Sequence, residues 1–413
     1  MPALESFALH ARYVFPVSGP PIASGYVSIL GQRIAAVSSV RPDVEIRELG
    51  AAAILPGLIN AHTHLEFSHL AEPIGRPGTP FPEWIRQVVR NRRSGPGISD
   101  DSVARGLQES LRCGTTTLGE IASPGWPLDV FRPSGSDGLI FLESIGLAAE
   151  KVAAKLEEAR RHLNRPFQDW SSTAWRAGLS PHAPYTVHPE LFAGLVELAV
   201  NHGVPLAFHL AESLEELELL RTGGGPFKDL LRDLDAWDPA AIPLKTRPLD
   251  YLRRLANCGR SLIIHGNYLD DEEIAVVGSH ADRMAVVYCP RTHGYFGHRK
   301  YPLAKMLNAG VRVCLGTDSR ASNPDLSLLE EMRTVAQAHP DLPGATILAM
   351  GTLETARALG LDAEVGTIEP GKYANLAVLR LPDSEAEEPH ALLFESLQPI
   401  ARTFYRGITT GNS

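Results

Sequence analysis

Features that would place this chain at a membrane or on nucleic acid are absent from its sequence. No apolar run is long enough to cross a bilayer, and residues 1–19 lack the basic start, continuous apolar core and cleavage site of a signal peptide. No block of Lys and Arg occurs, and the formal net charge is -9. We therefore expect neither nucleic acid nor a membrane among the partners of this protein.

Cysteine is scarce as well. The 413 residues include Cys113, Cys258, Cys289 and Cys314, which are widely spaced and form no C-x-x-C pair. This pattern is typical of reduced thiols rather than of a disulfide framework, so we expect a cytoplasmic location.

Several catalytic signatures are missing. The sequence has no G-x-S-x-G, no H-E-x-x-H and no combination of H-x-E with P-C-x-x-C. Residues 366–372 match the spacing of a P-loop, but Tyr373 stands where that loop needs Ser or Thr. A serine-nucleophile hydrolase and a P-loop nucleotide-binding protein are therefore disfavoured.

Strand-like and helix-like segments alternate over most of the chain. Amphipathic stretches such as 101–113, 190–201 and 303–309 separate eight apolar runs, which lie at 54–59, 115–121, 139–144, 177–180, 206–209, 262–265, 285–288 and 311–315. Eight βα units predict an α/β fold with a closed (β/α)8 TIM barrel, and a doubly wound open sheet is the alternative. In such a barrel, chemistry occurs at the carboxyl ends of the strands.

The two ends of the chain have a different pattern. Alternating runs and turns occur at 26–37 and again at 374–379 and 403–405. We predict a small β-sandwich domain formed by residues 1–53 and 363–413, and a barrel domain at 54–362. The segment 215–250 has no clear barrel role, and it fits either a lid over the site or a surface insertion.

Histidines and an aspartate stand at the ends of the predicted strands. His62 and His64 end the first strand, and both can meet one ion because residues i and i+2 of a strand point to the same face. His209, His265 and Asp318 each stand at the carboxyl end of a later run. Taken singly, each histidine could be a buried imidazole bonded to backbone. Together, at one barrel mouth, they predict a His3Asp metal site of the open, catalytic kind with His265 beside it.

Glu212 follows His209 by three residues and can lean over the same mouth. It could be a carboxylate of a first helical turn, which the helix dipole favours. A metal-activated water, however, needs a nearby carboxylate to accept its proton, so we predict a catalytic role for Glu212.

Four segments together resemble the cytosine/adenosine deaminase-like branch of the amidohydrolase superfamily. They are PGLINAHTH at 56–64, HLAE at 209–212, the strand-six His265, and LGTDS at 315–319. The resemblance extends over nearly the whole chain, including the flanking β domain. It implies that Glu212 is the proton shuttle, that His265 and Asp318 orient the attacking water, and that the metal ligands are His62, His64, His209 and Asp318.

The resemblance also implies the metal stoichiometry. Strand four offers no lysine for a carbamylated bridge, so one divalent metal is expected. Zinc is favoured, and iron or manganese also fit a His3Asp set. Members of the family suggest a homo-oligomer, a dimer or a tetramer.

Further segments concern the substrate. SPHAPYT at 180–186 and FPEWI at 81–85 are similar to segments of S-adenosylhomocysteine and methylthioadenosine deaminases, which makes His182, Glu83 and Trp84 candidate substrate contacts. HLEFS at 64–68 and GTDSRASN at 316–323 look closer still to aminodeoxyfutalosine deaminases.

One segment departs from the family pattern. In CPRTH at 289–293, relatives commonly have serine or asparagine in place of Thr292 and His293. Arg291 and His293 could contact a ribose or a carboxylate of the substrate, and a solvated loop is the alternative.

The sequence therefore predicts a hydrolase of carbon–nitrogen bonds other than peptide bonds that acts on a small molecule. It would deaminate an aminated heterocycle, most simply an adenosine-type nucleoside, by attack of metal-bound hydroxide and release of ammonia. A chlorohydrolase or cyclic-amide hydrolase of the same superfamily is one alternative. A non-catalytic, metal-stabilised binding scaffold is another.

Overall fold

The strands of the protein form two separate sheets. The computed structural model describes residues 5–94, 99–165, 175–242, 244–384, 386 and 388–410. The strands of these residues are β1 (Ser6–Val14), β2 (Ile22–Leu30), β3 (Arg33–Ser38), β4 (Glu45–Glu48), β5 (Ala52–Pro56), β6 (Leu58–Thr63), β7 (Thr115–Ala122), β8 (Asp137–Ser144), β9 (Trp175–Pro181), β10 (Leu206–Leu210), β11 (Ser261–His265), β12 (Met284–Tyr288), β13 (Arg312–Leu315), β14 (Leu376–Arg380), β15 (Ile400–Tyr405) and β16 (Ile408–Thr410).

Helices occupy most of the connections. They are α1 (Phe81–Ser94), α2 (Asp100–Arg112), α3 (Leu128–Phe131), α4 (Val152–Leu163), α5 (Pro189–His202), α6 (Leu214–Thr222), α7 (Pro226–Asp233), α8 (Pro248–Leu255), α9 (Asp271–Ser279), α10 (Pro290–Tyr295), α11 (Leu303–Asn308), α12 (Leu328–Ala338), α13 (Gly344–Met350), α14 (Leu353–Leu359) and α15 (Ala391–Glu395), with 3-10 turns at Leu65–Phe67 and Ala149–Lys151. In the described part of the chain, no helix has both the length and the apolarity needed to cross a membrane.

The barrel sheet consists of β6 to β13 in chain order, and each strand pairs in parallel with the next. Alternate residues face opposite sides. Leu139 and Phe141 of β8 belong to the apolar cluster inside the barrel, whereas Ile140 and Leu142 pack in the outer cluster that includes the helices. This arrangement confirms the predicted (β/α)8 barrel.

The predicted first strand, 54–59, is divided between the two sheets. Its beginning lies in β5, which pairs antiparallel with β14, and its end lies in β6 of the barrel. Gly57 marks the crossing, where a Cβ atom would lie 2.3 Å from the Thr116 hydroxyl oxygen. Because both sheets bury this run, its apolar pattern carries no sign of where one sheet ends and the other begins.

The second sheet, here the terminal sheet, combines both ends of the chain. Its strand order is β16-β15-β14-β5-β1-β2-β3, with β4 beside β1, and most pairs are antiparallel. Its strands bury a common apolar cluster that includes Phe7, Ile29, Ile54 and Phe404. This confirms a small β structure made from both termini, while the domain boundaries at 53/54 and 362/363 stay a prediction.

Candidate metal centre and active site

The ends of the barrel strands bring together the residues that the sequence singles out. His62 lies in β6 and His209 in β10, His64 and Asp318 follow β6 and β13, and His265 ends β11. Among the described residues, the potential ligand atoms of His62, His64 and His209 all lie within 4.8 Å of one another, as do those of His62, His265 and Asp318. The five side chains therefore form one cluster at the barrel mouth, which is called the metal cluster below because its side chains are the candidate ligands of a metal ion and their neighbour His265.

The spacing within this cluster suits a shared cation. Nε2 of His62 lies 3.6 Å, and Nε2 of His64 3.9 Å, from Oδ1 of Asp318. These distances are long for hydrogen bonds, and two ligands of a tetrahedral zinc ion lie roughly 3.5 Å apart. His62 is fully buried, and neither of its ring nitrogens has a hydrogen-bond partner among the described residues. Such an unsatisfied group costs free energy that a bound cation would remove, so the residues fit a divalent metal.

Neighbouring groups orient the potential ligands. Nδ1 of His209 lies 3.1 Å from the carbonyl oxygen of His182, which leaves Nε2 to face the cluster. Asp318 accepts hydrogen bonds from the Ser319 amide at 2.7 Å and from the Ser322 hydroxyl at 3.3 Å. These contacts fix the ring and the carboxylate before any ion binds.

Burial also sets the charge of the cluster. Desolvation holds the pKa of His64 and of His209 well below the ordinary value, and the adjacent His62 lowers both further. Burial raises the pKa of Asp318, but its interactions with His62, His265 and His64 outweigh this and hold the pKa below its usual range. Neutral imidazoles around an ionised carboxylate are the protonation states that bind a metal.

The backbone at three of these strand ends is strained. Ala211, His265 and Asp318 have φ values of 54°, 66° and 55°, in the left-handed region that non-glycine residues rarely adopt. Strain of this kind concentrates at functional sites, where it aims a side chain that regular strand geometry would direct elsewhere. Gly316 allows the close approach of β13 to β6, since a Cβ atom there would lie 2.9 Å from Cβ of His62.

Glu212 and His265 form a buried pair beside the cluster. Nε2 of His265 lies 3.3 Å from Oε1 of Glu212, and both side chains are more than nine-tenths buried. Burial raises the pKa of Glu212 well above its ordinary value, and the charges of Asp318 and Glu216 raise it further. A carboxyl group in this setting binds a proton more readily than a free carboxyl group does, which suits a proton carrier.

The position of Glu212 is fixed by its own backbone. The fully buried Glu216 carboxylate accepts hydrogen bonds from the amides of Ala211 and Glu212, each at 2.9 Å. Asn267 donates to the carbonyl oxygen of Glu212, also at 2.9 Å. The loop between β10 and α6 is thereby held in one conformation.

A cavity of about 650 Å³ opens above the cluster. His64, His209, His265, Asp318 and Glu212 line its floor. Its walls are largely aromatic and apolar, with Phe67, Phe81, Trp84, Tyr185, Leu231 and Trp237 among them. The segment 215–250 thus contributes part of the wall, and the volume suits a small-molecule ligand.

The predicted substrate contacts fall into two groups. Trp84 and His182 line the cavity. Glu83 is not among its lining residues, and its side chain is 44% exposed beside Arg86. Arg291 and His293 also lie outside the lining.

Arg291 and His293 both have partners elsewhere in the described chain. The Arg291 guanidinium binds Asp325 through two hydrogen bonds of 2.7 and 3.1 Å. His293 is buried, with its ring centroid 5.7 Å from that of Tyr288.

Sequence reasoning passed over three residues of this site. Glu143, at the end of β8, lines the cavity, Glu216 holds Glu212, and Asn60 joins β6 to β13. Glu143 could have been predicted, since it lies at the carboxyl end of the third run, a position equivalent to that of the histidines in other runs. The roles of the other two depend on contacts that only the folded chain makes.

Comparisons with known proteins agree with this architecture. The family model described as "Amidohydrolase family" matches residues 53–408. The 5-methylthioadenosine/S-adenosylhomocysteine deaminase of Moorella thermoacetica is 29% identical over 403 residues, which cover 92% of this chain and 85% of that protein. The aminodeoxyfutalosine deaminase of Deinococcus radiodurans is 31% identical over 336 residues, 77% of each protein.

A solved structure has the same fold. The aminofutalosine deaminase of Helicobacter pylori, in complex with methylthio-coformycin, aligns with a TM-score of 0.84 at 23% identity. The alignment covers 98% of this chain and 99% of that one, so the barrel and the terminal sheet are both shared.

Proposed function

Because the chain belongs to the amidohydrolase family, we propose that it is a metal-dependent aminohydrolase that deaminates an adenosine-type nucleoside. One observation carries the proposal. The potential ligand atoms of three histidines lie within 4.8 Å of one another, on the floor of a cavity that Glu212 and His265 also line. The similarity to deaminases of 5-methylthioadenosine, S-adenosylhomocysteine and aminodeoxyfutalosine supports the substrate class, with an aminodeoxyfutalosine-like nucleoside as the narrower proposal.

His62, His64, His209 and Asp318 would hold one metal ion. We propose zinc, because three imidazoles, one carboxylate and an open position match catalytic zinc sites, with iron(II) or manganese as the alternatives. A cation bound there would lower the pKa of a coordinated water toward neutrality and so supply the nucleophile.

Side chains of the protein then transfer the protons and orient the reactants. Glu212 takes one proton from the attacking water and passes it to the ring nitrogen, and it then transfers the second proton of that water to the exocyclic amine, which leaves as ammonia. His265, whose Nε2 lies 3.3 Å from Oε1 of Glu212, orients the attacking water together with Asp318. Trp84 and His182 on the cavity wall would contact the nucleoside. The overall exchange is of an exocyclic amine for oxygen, with one water consumed and one ammonia released.

Metal analysis and an ammonia-release screen test this proposal together. The panel contains adenosine, methylthioadenosine, S-adenosylhomocysteine, aminodeoxyfutalosine, guanine, cytosine and a chlorinated triazine. We expect one metal ion per chain and ammonia from the adenosine derivatives, with activity lost on chelation and restored by zinc, iron(II) or manganese. Chloride release from the triazine without nucleoside turnover would indicate a chlorohydrolase. A metal-containing protein inactive on the whole panel would indicate a binding scaffold.

We also propose a cytoplasmic location and a homo-oligomeric state. The four cysteines are unpaired and three of them are buried, as is common in proteins of reducing compartments. Cell fractionation and light scattering of the purified protein test the two statements.

A further inference from the structure

Glu143 is a buried carboxylate on the cavity wall that the proposed reaction does not use. It lies two residues beyond Phe141 on β8, and Phe141 packs inside the barrel, so strand alternation directs Glu143 to the same side. The residue is 3% exposed and lines the cavity. One strand separates β8 from β6 and one from β10, which places Glu143 near the metal cluster but outside it.

The carboxylate of Glu143 can accept more hydrogen bonds than its neighbours donate. It shares the hydroxyl group of Ser123 with Glu66, whose Oε1 lies 3.0 Å from that hydroxyl oxygen. One hydroxyl carries one proton, so it cannot satisfy both carboxylates. Arg92 also lines the cavity, but its guanidinium is hydrogen-bonded to Glu66. Within the described residues, Glu143 forms no ion pair of its own.

The Glu143 carboxylate needs a further hydrogen-bond donor, and a ligand in the cavity that it lines can supply one. Burial raises the pKa of Glu143, while Arg92 and then His62 lower it. A buried carboxylate with unused lone pairs is costly unless a donor reaches it. Of the other cavity carboxylates outside the metal cluster and Glu212, Glu150 and Asp235 are exposed and Asp238 is half-buried. Glu143 is thus the one best placed to bind a buried part of a ligand.

Resting on the proposed function, we propose that Glu143 is a specificity residue that accepts hydrogen bonds from the neighbouring 2′- and 3′-hydroxyls of the nucleoside's ribose. An ionised carboxylate only accepts, and its two oxygens match two adjacent O–H donors. β8 lies about two strand spacings, roughly 10 Å, from β6 and from β10. A purine whose reacting edge faces the metal cluster and Glu212 can span that separation and present its sugar to Glu143.

Matched nucleosides and variants test this inference. The wild-type protein, Glu143→Ala and Glu143→Gln are assayed with adenosine, 2′-deoxyadenosine and 3′-deoxyadenosine. For the wild type, we expect kcat/KM to fall about 10- to 100-fold when a hydroxyl is removed, as for a hydrogen bond to a charged acceptor. In Glu143→Ala, kcat/KM for adenosine falls by a similar factor, mostly through KM, and the deoxynucleosides are turned over nearly as well as by the wild type.

Controls separate the possible failures. Glu150→Gln changes an exposed carboxylate of the same cavity and should keep the wild-type preference for ribose. If Glu143→Ala does not fold, Glu143→Gln keeps the shape, removes the charge and should reduce the preference. An active protein whose variants prefer ribose as strongly as the wild type, or lose all three substrates equally, refutes the role of Glu143 alone. A wild type that deaminates no nucleoside refutes the proposed function and this inference with it.

Discussion

At the scale of single residues, the role proposed for Glu212 depends on the surroundings of its carboxyl group. It is excluded from solvent and lies beside the ionised Asp318, so its pKa is raised well above that of a free carboxyl. It belongs to neither of the ligand groups found among the described residues. The proton-transfer role proposed for Glu212 and the proposed binding of a metal can therefore be separated by mutation.

Glu212→Gln tests that separation. The amide keeps the shape of the side chain but cannot accept the proton of the attacking water, so we expect kcat to fall by about 10²- to 10⁴-fold. Metal content should equal that of the wild type, because no proposed ligand is changed. Glu215→Gln, in the first turn of α6 and half-buried, serves as the control and should stay active. Turnover of Glu212→Gln at the wild-type rate would remove Glu212 from the mechanism.

Which residues the sequence could reveal depended on how specific their chemistry is. Histidine is uncommon at strand ends, so His62, His209 and His265 could be recognised together. Glutamate is common everywhere, and Glu143 therefore went unnoticed although it occupies an equivalent position. Glu83 and Trp84 are adjacent on α1, where a motif cannot tell which side chain faces the cavity and which faces Arg86.

At the scale of elements, the metal cluster depends on the seam where β13 meets β6. Asn60 bridges this seam. Its Oδ1 accepts hydrogen bonds from the amides of His62 and Thr317, at 3.1 and 3.2 Å, and its Nδ2 donates to the Thr317 hydroxyl at 2.7 Å. The Asp318 amide donates to the His62 carbonyl oxygen at 3.0 Å. Asn60 thus sets the distance between two proposed metal ligands without touching the metal.

Asn60→Ala should weaken metal binding. It removes the three hydrogen bonds of the Asn60 side chain, two of which cross the seam to Thr317, and loss of such a supporting contact typically costs about 10- to 100-fold in metal affinity. Competition with a chelator measures that affinity. Asn60→Asp keeps the oxygen that accepts from the two amides and should recover part of the affinity. Equal metal affinity in Asn60→Ala and the wild type would show that the seam holds its geometry without this side chain.

The sequence predicts the order of the strands better than it predicts the residues at which one strand passes into the next. Seven of the eight runs became β7 to β13, and the end of the first run became β6, because strand-length apolar segments between amphipathic helices leave few topologies open. The passage from β5 to β6 at Gly57 was not predictable, since it depends on Thr116 of a later strand. Asn60 illustrates the same limit, because its partner Thr317 is distant in sequence.

At the scale of the whole molecule, the terminal sheet and the barrel share one core. Leu55, Leu379 and Ile400 of the terminal sheet belong to the same buried cluster as Leu58 and Leu118 of the barrel. The first proposed ligand, His62, follows only eight residues after Ile54 of the terminal sheet, so the two parts are joined close to the site. We therefore expect that a change in the free energy of unfolding also affects how stably the metal cluster is held.

Buried histidines make that stability depend on pH. His162 of α4 is 2% exposed, and its Nε2 lies 3.0 Å from the carbonyl oxygen of Ile140 on β8. Burial lowers its pKa from 6.5 to about 4, although the bond to Ile140 raises it. Between these values the unfolded chain binds a proton that the folded chain does not. The contribution of neutral His162 is therefore complete above pH 6.5 and is lost as the pH falls toward 4.

His162→Gln should flatten this dependence. A pKa difference of this size corresponds to about 3 kcal/mol of unfolding free energy between neutral pH and pH 4, by linkage. Urea unfolding of chelated wild type and variant, measured from pH 7.5 to 4.5, gives the two slopes, and chelation keeps metal release out of the comparison. The variant's absolute stability matters less than its slope, which should be smaller below pH 6.5. His202→Gln, at an exposed position of α5, should retain the wild-type slope. Parallel curves for wild type and His162→Gln would mean that His162 takes up no extra proton on unfolding.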